Sequence, residues 1–292
     1  MLKSKIYSLL KWPYLKYLNL RLKNNIRTAN SKEILGQQFY YPKFSLSFQA
    51  LFQDFENTKL LSIQEQCELL NKEFFDNASV NIIDIGANIG YQALVYSHFL
   101  STNRFLCFEP VSHNYYYLQK NISHIKNIEL FKFALGEEEK EEMISMPKWE
   151  SQSRLSNLGL MSIRGGSGEF SELVHVKKFD NLEVSFDKQE HIFIKIDVEG
   201  YEYNVLLGMQ SFLESHNNIF FNIELNSRID SDNIEQIKMI SNFLEKNSFV
   251  PYIISKGALK KLTFDALYQT VIDDLVVNSY FKRKEHSTKQ AT

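Results

Sequence analysis

At 292 residues, with 44% hydrophobic and 14% aromatic content, the chain is long enough to bury a sizeable core, as one large α/β domain with extras or as two small domains. A formal charge of −2 gives no support to nucleic acid as the main partner. Two cysteines without metal-ligand spacing, and no apolar run as long as a membrane helix or signal-peptide core, make a reducing cytoplasm the expected compartment.

The near-neutral total conceals an asymmetry. The first 32 residues carry eight Lys or Arg and no acid, so the other 260 hold 25 basic against 35 acidic residues. Within this arm Leu2, Ile6, Leu9 and Leu10 form a helical stripe flanked by Lys3, Lys5 and Lys11, followed by Trp12, Pro13, Tyr14 and Tyr17. Two readings stand side by side: residues 1–30 make a peripheral contact with the anionic inner face of a membrane, or they are a solvated arm that packs on its own domain or on a second subunit. Residues 31–79 are expected to be helices and loops capping the main sheet, with Phe48, Leu51, Phe52 and Phe55 at helical spacing. The expected division is an arm and helical cap over residues 1–60, a main domain over 61–285 and a disordered tail over 286–292.

The main domain opens at Asn81-Ile82-Ile83-Asp84-Ile85-Gly86-Ala87-Asn88-Ile89-Gly90, a buried strand near 80–85 that breaks into a glycine-lined turn and then a helix near 89–100. Glycines at 86 and 90 are expected where a ligand approaches the backbone, and the helix start near Ile89 offers free N–H groups. A second apolar strand near 104–109 ends in Glu109, roughly 20 residues past the turn, where a carboxylate typically grips two ribose hydroxyls. A pyrophosphate fingerprint requires G-x-G-x-x-G. Here the loop is G-x-x-x-G, Asn88 stands where the second glycine would, and Asp84 closes the strand, so an anion would be repelled. A cofactor with an ammonium, a sulfonium and no phosphate suits this acidic strand end, which points to S-adenosylmethionine over a nicotinamide dinucleotide.

A helix near 112–123 and a strand near 128–135 follow. His113, at the start of that helix, is either a cofactor contact or a surface residue. Residues 136–190 then form an irregular insertion, too long for a plain connection, with a hairpin expected over 145–153 and a glycine-rich loop over 159–168. Because ligands bind beyond the carboxyl ends of strands in open α/β sheets, acceptor recognition is assigned to this insertion, with Trp149, Arg154 and Arg164 as candidate contacts. Strands near 191–197, 218–225, 249–254 and 272–278 alternate with helices near 200–214 and 231–247. The fold class is therefore α/β: a Rossmann-like seven-stranded sheet, mostly parallel with an antiparallel last strand, plus an N-terminal helical extension.

The run Lys195-Ile196-Asp197-Val198-Glu199-Gly200-Tyr201-Glu202 delivers three charges to the end of a central strand. Lys195 and Asp197 share a face, whereas Glu199 either joins them or caps the following helix. The neighbouring strand ends in Glu224 and Asn226. These oxygens can orient a hydroxyl acceptor and take its proton. Asp197, Glu224 and Asn226 also have the chemistry to hold Mg²⁺.

Asp84-Ile85-Gly86-Ala87-Asn88-Ile89-Gly90, Phe108-Glu109-Pro110, Ala134-Leu135-Gly136 and Lys195 to Glu202 together resemble the FkbM family of S-adenosylmethionine-dependent methyltransferases over roughly residues 60–280. The resemblance implies O-methylation of a hydroxyl, often on sugars, polysaccharides or polyketides. It implies cofactor contacts at Asp84, Gly86, Ala87, Asn88, Gly90, Glu109, Pro110 and Ala134, and active-site roles for Asp197 and Glu199, beside Lys195 and Glu224. Phe179 before Asp180 is a small departure from the family's Leu-Asp. The expected acceptor is a carbohydrate hydroxyl in a surface glycan or its precursor. The alternative is a catalytically silent cofactor-binding partner in a glycan or natural-product biosynthesis complex.

Overall fold

The computed structural model describes residues 29–42, 59–145, 163, 171–227 and 231–284. The basic arm before Ala29, the Phe48 to Phe55 stripe, Trp149, Arg154, Arg164, the expected 145–153 hairpin beyond Ser145, and the tail lie outside the described residues. No helix among the described residues is long and apolar enough to cross a membrane.

Eight strands form the central sheet in the order β5 (Ile128–Phe131), β4 (Thr102–Phe108), β3 (Val80–Ile85), β9 (His191–Ile196), β10 (Ile219–Asn226), β13 (Val276–Arg283), β11 (Phe249–Ser255) and β12 (Ala258–Lys261). Pairings from β5 through β10 are parallel, and β13 runs antiparallel to both of its neighbours. The sheet thus holds the seven expected strands plus β12, which folds back on β11 through Lys256 and Gly257. Their φ values of 53° and 72° suit a tight hairpin turn. The chain runs outward from β3 to β5 and later resumes at β9 on the other side of β3, so the switch point, where such sheets bind ligands, lies between β3 and β9.

Parallel strands covered on both faces must be apolar on both. Ile83, Ile85, Ile194, Ile196, Phe221 and Ile223 pack on one face with α4 (Glu202–Gly208), α6 (Ser231–Lys246) and α7 (Phe264–Asp274). Ile82, Phe105, Cys107, Phe193 and Phe220 pack on the other with α1 (Lys59–Glu73), α2 (Tyr91–Phe99) and α3 (Ser112–Ile122). Each such side chain contributes roughly 1.5–3 kcal/mol on burial. Along this second face the alternation continues to the strand ends as Asp84, Lys195 and Asn222, which occupy one register row, and then to Glu109, Asp197 and Glu224. Two-residue periodicity thereby converts a buried face into an acidic rim.

Four expectations change. Residues 29–42 form a hairpin, β1 (Ala29–Ile34) with β2 (Gln37–Pro42), and not helix and loop. Its turn, Leu35-Gly36, takes φ of 52° and 74°, a left-handed pair seldom announced by leucine. The strand expected over 128–135 divides after Phe131, because β6 (Ala134–Leu135) leaves to pair with β8 (Ser171–Lys177), itself antiparallel to β7 (Lys140–Ser145). The helix expected over 200–214 breaks at Met209 into α4 and α5 (Gln210–Ser215), where a Cβ on Gly208 would meet the Gly136 carbonyl oxygen at 1.9 Å. The strand expected over 272–278 instead begins as the last turn of α7 and becomes β13 only after Leu275. The Thr263 side chain caps α7 by accepting from the Ala266 N–H at 3.1 Å, a start signal that the apolar run after it outweighs in the sequence.

Candidate active site

A cleft of ≈ 340 Å³ opens over the carboxyl ends of β3, β4, β9 and β10. Asp84, Gly86, Ala87, Asn88, Glu109, Pro110 and Ala134 line it, as do Lys195, Asp197, Glu199 and Glu224. Gly90 and Asn226 are absent from the lining. Ile63, Tyr91, Gln92, Asn114, Tyr201 and Ile163 join it without having been singled out in the sequence. Ile63, Tyr91, Gln92 and Asn114 lie in helices and, like Tyr201 and Ile163, belong to no charged pattern, so only the fold reveals them. His113 is outside the cleft, its ring edge-on to Tyr117 at 5.3 Å.

The glycines act differently from expectation. Gly86 has φ +85°, and a Cβ there would lie 2.0 Å from the Asp197 carbonyl oxygen, so the residue lets β3 and β9 close together just beneath the site. Gly90 caps α2 at φ +85° with its missing Cβ facing Leu118 and Ile122 of α3, and it serves packing. The loop between them is pinned. The Gly86 and Ala87 N–H groups both donate to the Phe108 carbonyl at 3.0 Å, and the Gly90 N–H donates to the Ala87 carbonyl at 2.9 Å. The Asn88 N–H donates to Glu109 Oε2 at 2.9 Å. Few loop N–H groups are left for a phosphate.

Glu109 is 4% exposed. Its Oε1 accepts from the Val111 N–H at 2.9 Å and from Asn114 Nδ2 at 3.4 Å. Burial pushes its carboxyl up to about 7, against those hydrogen bonds. Asp84 is 1% exposed, and neither carboxyl oxygen has a hydrogen-bond partner among the described residues. Burial raises it to about 6, with Lys195 opposing and Asp197 reinforcing. Asn88 Oδ1 is likewise buried without a partner among the described residues. Unused buried acceptors cost free energy unless a donor arrives, and this acceptor-rich cradle fits a cationic, hydroxyl-bearing ligand.

Beside it, Lys195 Nζ donates to Asp197 Oδ2 at 2.8 Å. Burial alone would push the lysine down, but Asp197, Asp84 and Glu224 together hold it up and charged. One carboxylate oxygen each from Asp197, Glu199 and Glu224 lies within 4.8 Å of the others. At that separation two ionised carboxylates repel by about 3.5 kcal/mol at an effective dielectric of 20. One proton therefore stays in the cluster, and burial followed by repulsion from Asp197 and Glu224 pushes Glu199 up to about 9. Glu199 does not cap the helix. Glu202, the first residue of α4, instead ties down the turn before it, its Oε1 accepting from the Val198 N–H at 3.2 Å and the Gly200 N–H at 3.1 Å. With the turn satisfied from that side, Glu199 at φ 56° projects into the cleft. Asn226 does not line the cleft, and it is Glu199 that stands with Asp197 and Glu224 there.

No curated protein matches the chain. Among solved structures, the methyltransferase FkbM from Methylobacillus flagellatus KT is 15% identical with a TM-score of 0.44, covering 70% of this chain and 43% of its own. The present chain thus spans less than half of that relative. M. jannaschii TYW2 in complex with AdoMet is 12% identical with a TM-score of 0.39, covering 88% of each chain. The plantazolicin methyltransferase BpumL, in complex with a pentazolic desmethylPZN analog and SAH, is 12% identical with a TM-score of 0.44, covering 82% of this chain and 90% of its own. The family model described as the methyltransferase FkbM domain matches residues 84–251, more than half of the sequence, and the chain belongs to this family of S-adenosylmethionine-dependent methyltransferases.

Proposed function

We propose that the protein transfers a methyl group from S-adenosylmethionine to a hydroxyl of a carbohydrate acceptor, in a surface glycan or its lipid- or nucleotide-linked precursor. The observation that carries the reading is the meeting, in one cleft, of the unpartnered acceptors Asp84 and Asn88 with the Lys195, Asp197, Glu199 and Glu224 cluster. Asp84, Glu109 and the backbone from Gly86 to Asn88 would hold the cofactor. Bound there, it would supply an electrophilic methyl on a sulfonium whose leaving group is a neutral thioether.

The chain's own residues do the rest. Asp197, fixed by Lys195 at 2.8 Å, receives the acceptor's proton as the hydroxyl oxygen attacks. Glu199, which keeps its proton at neutral pH, donates a hydrogen bond that orients the same oxygen. Glu224 accepts from a second hydroxyl of the sugar. Lys195 already places a positive charge at the cluster, so the reading assigns no step to Mg²⁺ at Asp197, Glu224 and Asn226. The carbohydrate assignment rests on family precedent.

The test is an acceptor screen with methyl-labelled S-adenosylmethionine on cell glycans and simple glycosides, with and without EDTA, in wild type and Asp197→Asn. Label should enter an alkali-stable ether on sugar, survive EDTA, and fall by roughly 10²- to 10⁴-fold in the variant. Loss of activity on chelation with recovery on Mg²⁺ would overturn the role given to Lys195. Cofactor binding without transfer to any acceptor would favour a silent binding partner.

A further inference from the structure

The hairpin β1–β2 precedes the family domain, which begins at residue 84, yet it is joined to the cofactor loop by one side chain. Asn121, on α3 and 2% exposed, uses its whole amide. Its Oδ1 accepts from the Tyr40 N–H at 2.7 Å, and its Nδ2 donates to the Tyr40 carbonyl at 2.9 Å and to the Ile89 carbonyl at 2.7 Å. The amide thus pairs with the Tyr40 peptide as a neighbouring strand would, while its second hydrogen holds Ile89. Glu109 grips the adjacent residue of that loop through the Asn88 N–H at 2.9 Å. Between these two anchors Asn88 sits at φ 52°, a left-handed conformation that asparagine tolerates better than most non-glycine residues and that the two anchors hold in place.

Three further contacts bind the same elements. Phe39, fully buried, meets the ring of Tyr91 edge-on at 6.0 Å, and Tyr91 lines the cleft. Lys120 Nζ sits 3.7 Å above the Tyr40 ring, and Gln37 bonds His124 at 2.6 Å, so β2 lies along the carboxyl-terminal half of α3.

We infer that Asn121 is a positioning residue for cofactor binding, and that through it the β1–β2 hairpin is an accessory part of the cofactor site, ordered together with the Asn88 loop. This rests on the assignment of the cleft to S-adenosylmethionine. If loop and hairpin are ordered as one unit, a ligand that orders one stabilises the other, and cutting the connection weakens the ligand.

The experiment uses the full chain with S-adenosylhomocysteine as probe, reading calorimetric affinity and hydrogen exchange of residues 37–42. Wild type should bind, and binding should slow exchange in the hairpin. Asn121→Ala should weaken binding about tenfold, the worth of a buried hydrogen bond or two, and abolish the protection. Tyr40→Pro removes the outward-facing N–H of the hairpin together with the ring beneath Lys120. It should also weaken binding and abolish the protection, although Asn121 and Ile89 are unchanged. Wild-type binding with no change in hairpin exchange, or equal affinity in both variants alongside a lowered melting temperature, would show a purely structural tie and overturn the inference. Failure of the wild type to bind the probe at all would instead remove the cofactor assignment and the inference with it.

Discussion

Replacing Asp84 by Asn separates what the site costs from what it does. The carboxyl is 1% exposed, its oxygens have no hydrogen-bond partner among the described residues, and burial raises it from an ordinary 3.8 to about 6. Because the folded value lies above the unfolded one, the associated stability is fully present below about pH 4 and is lost as the pH rises through 6. At about 1.36 kcal/mol per tenfold difference in proton affinity, the loss approaches roughly 3 kcal/mol by pH 8. Asparagine has the same shape and carries no charge to bury. Asp84→Asn should therefore lie within about 1 kcal/mol of wild type at pH 4.5 and exceed it by up to about 3 kcal/mol at pH 8, raising the melting temperature by several degrees. The same variant should lose at least about tenfold in S-adenosylmethionine affinity, because the anion that a cationic cofactor neutralises is gone. Urea denaturation at the two pH values, with calorimetry of cofactor binding, reads both effects. A variant less stable than wild type at pH 8, or a stability difference independent of pH, would show Asp84 to be an ordinary satisfied carboxylate and refute the reasoning.

Two other substitutions test separate parts of the site. Gly86→Ala places a methyl group 2.0 Å from the Asp197 carbonyl oxygen at a residue with φ +85°, so it should cost about 3 kcal/mol or more, or prevent folding, as circular dichroism and denaturation would reveal. Normal stability in that variant would mean that β3 and β9 do not close as described. Glu199, held up to about 9, must keep its proton to donate to the acceptor, so kcat should decline as the pH passes 9. Glu199→Gln should lower kcat yet flatten that alkaline limb. An unchanged limb in the variant would assign it to another group.

Both ends of the central chemistry were legible because charge in a buried strand is conspicuous. Asp84 follows Ile82 and Ile83, and Lys195 and Asp197 sit among Ile192, Phe193, Ile194 and Ile196, so strand alternation alone places them together at one sheet edge. The partition of roles between Glu199 and Glu202 was not legible. Both lie where strand gives way to helix and two-residue periodicity ends, and only the backbone geometry at Glu199 and Gly200 decides which carboxylate ties down the turn and which faces the cleft. The glycines illustrate the same limit. Gly86 and Gly90 read from sequence as places where a ligand approaches the backbone, but what their absent Cβ atoms would strike, Asp197 and Leu118, is a fact of tertiary packing. The hairpin was hidden because Leu35-Gly36 is a poor advertisement for its turn and because the element is stabilised by Asn121, about 80 residues away.

Calorimetric titration of S-adenosylmethionine into wild type and Glu109→Ala, with NAD as control, tests the central claim most directly. Micromolar binding by the wild type, abolished in the variant and absent for NAD, is the predicted result, since Glu109 both lines the cleft and holds Asn88 at 2.9 Å. Absence of S-adenosylmethionine binding, or preference for NAD, would contradict the account.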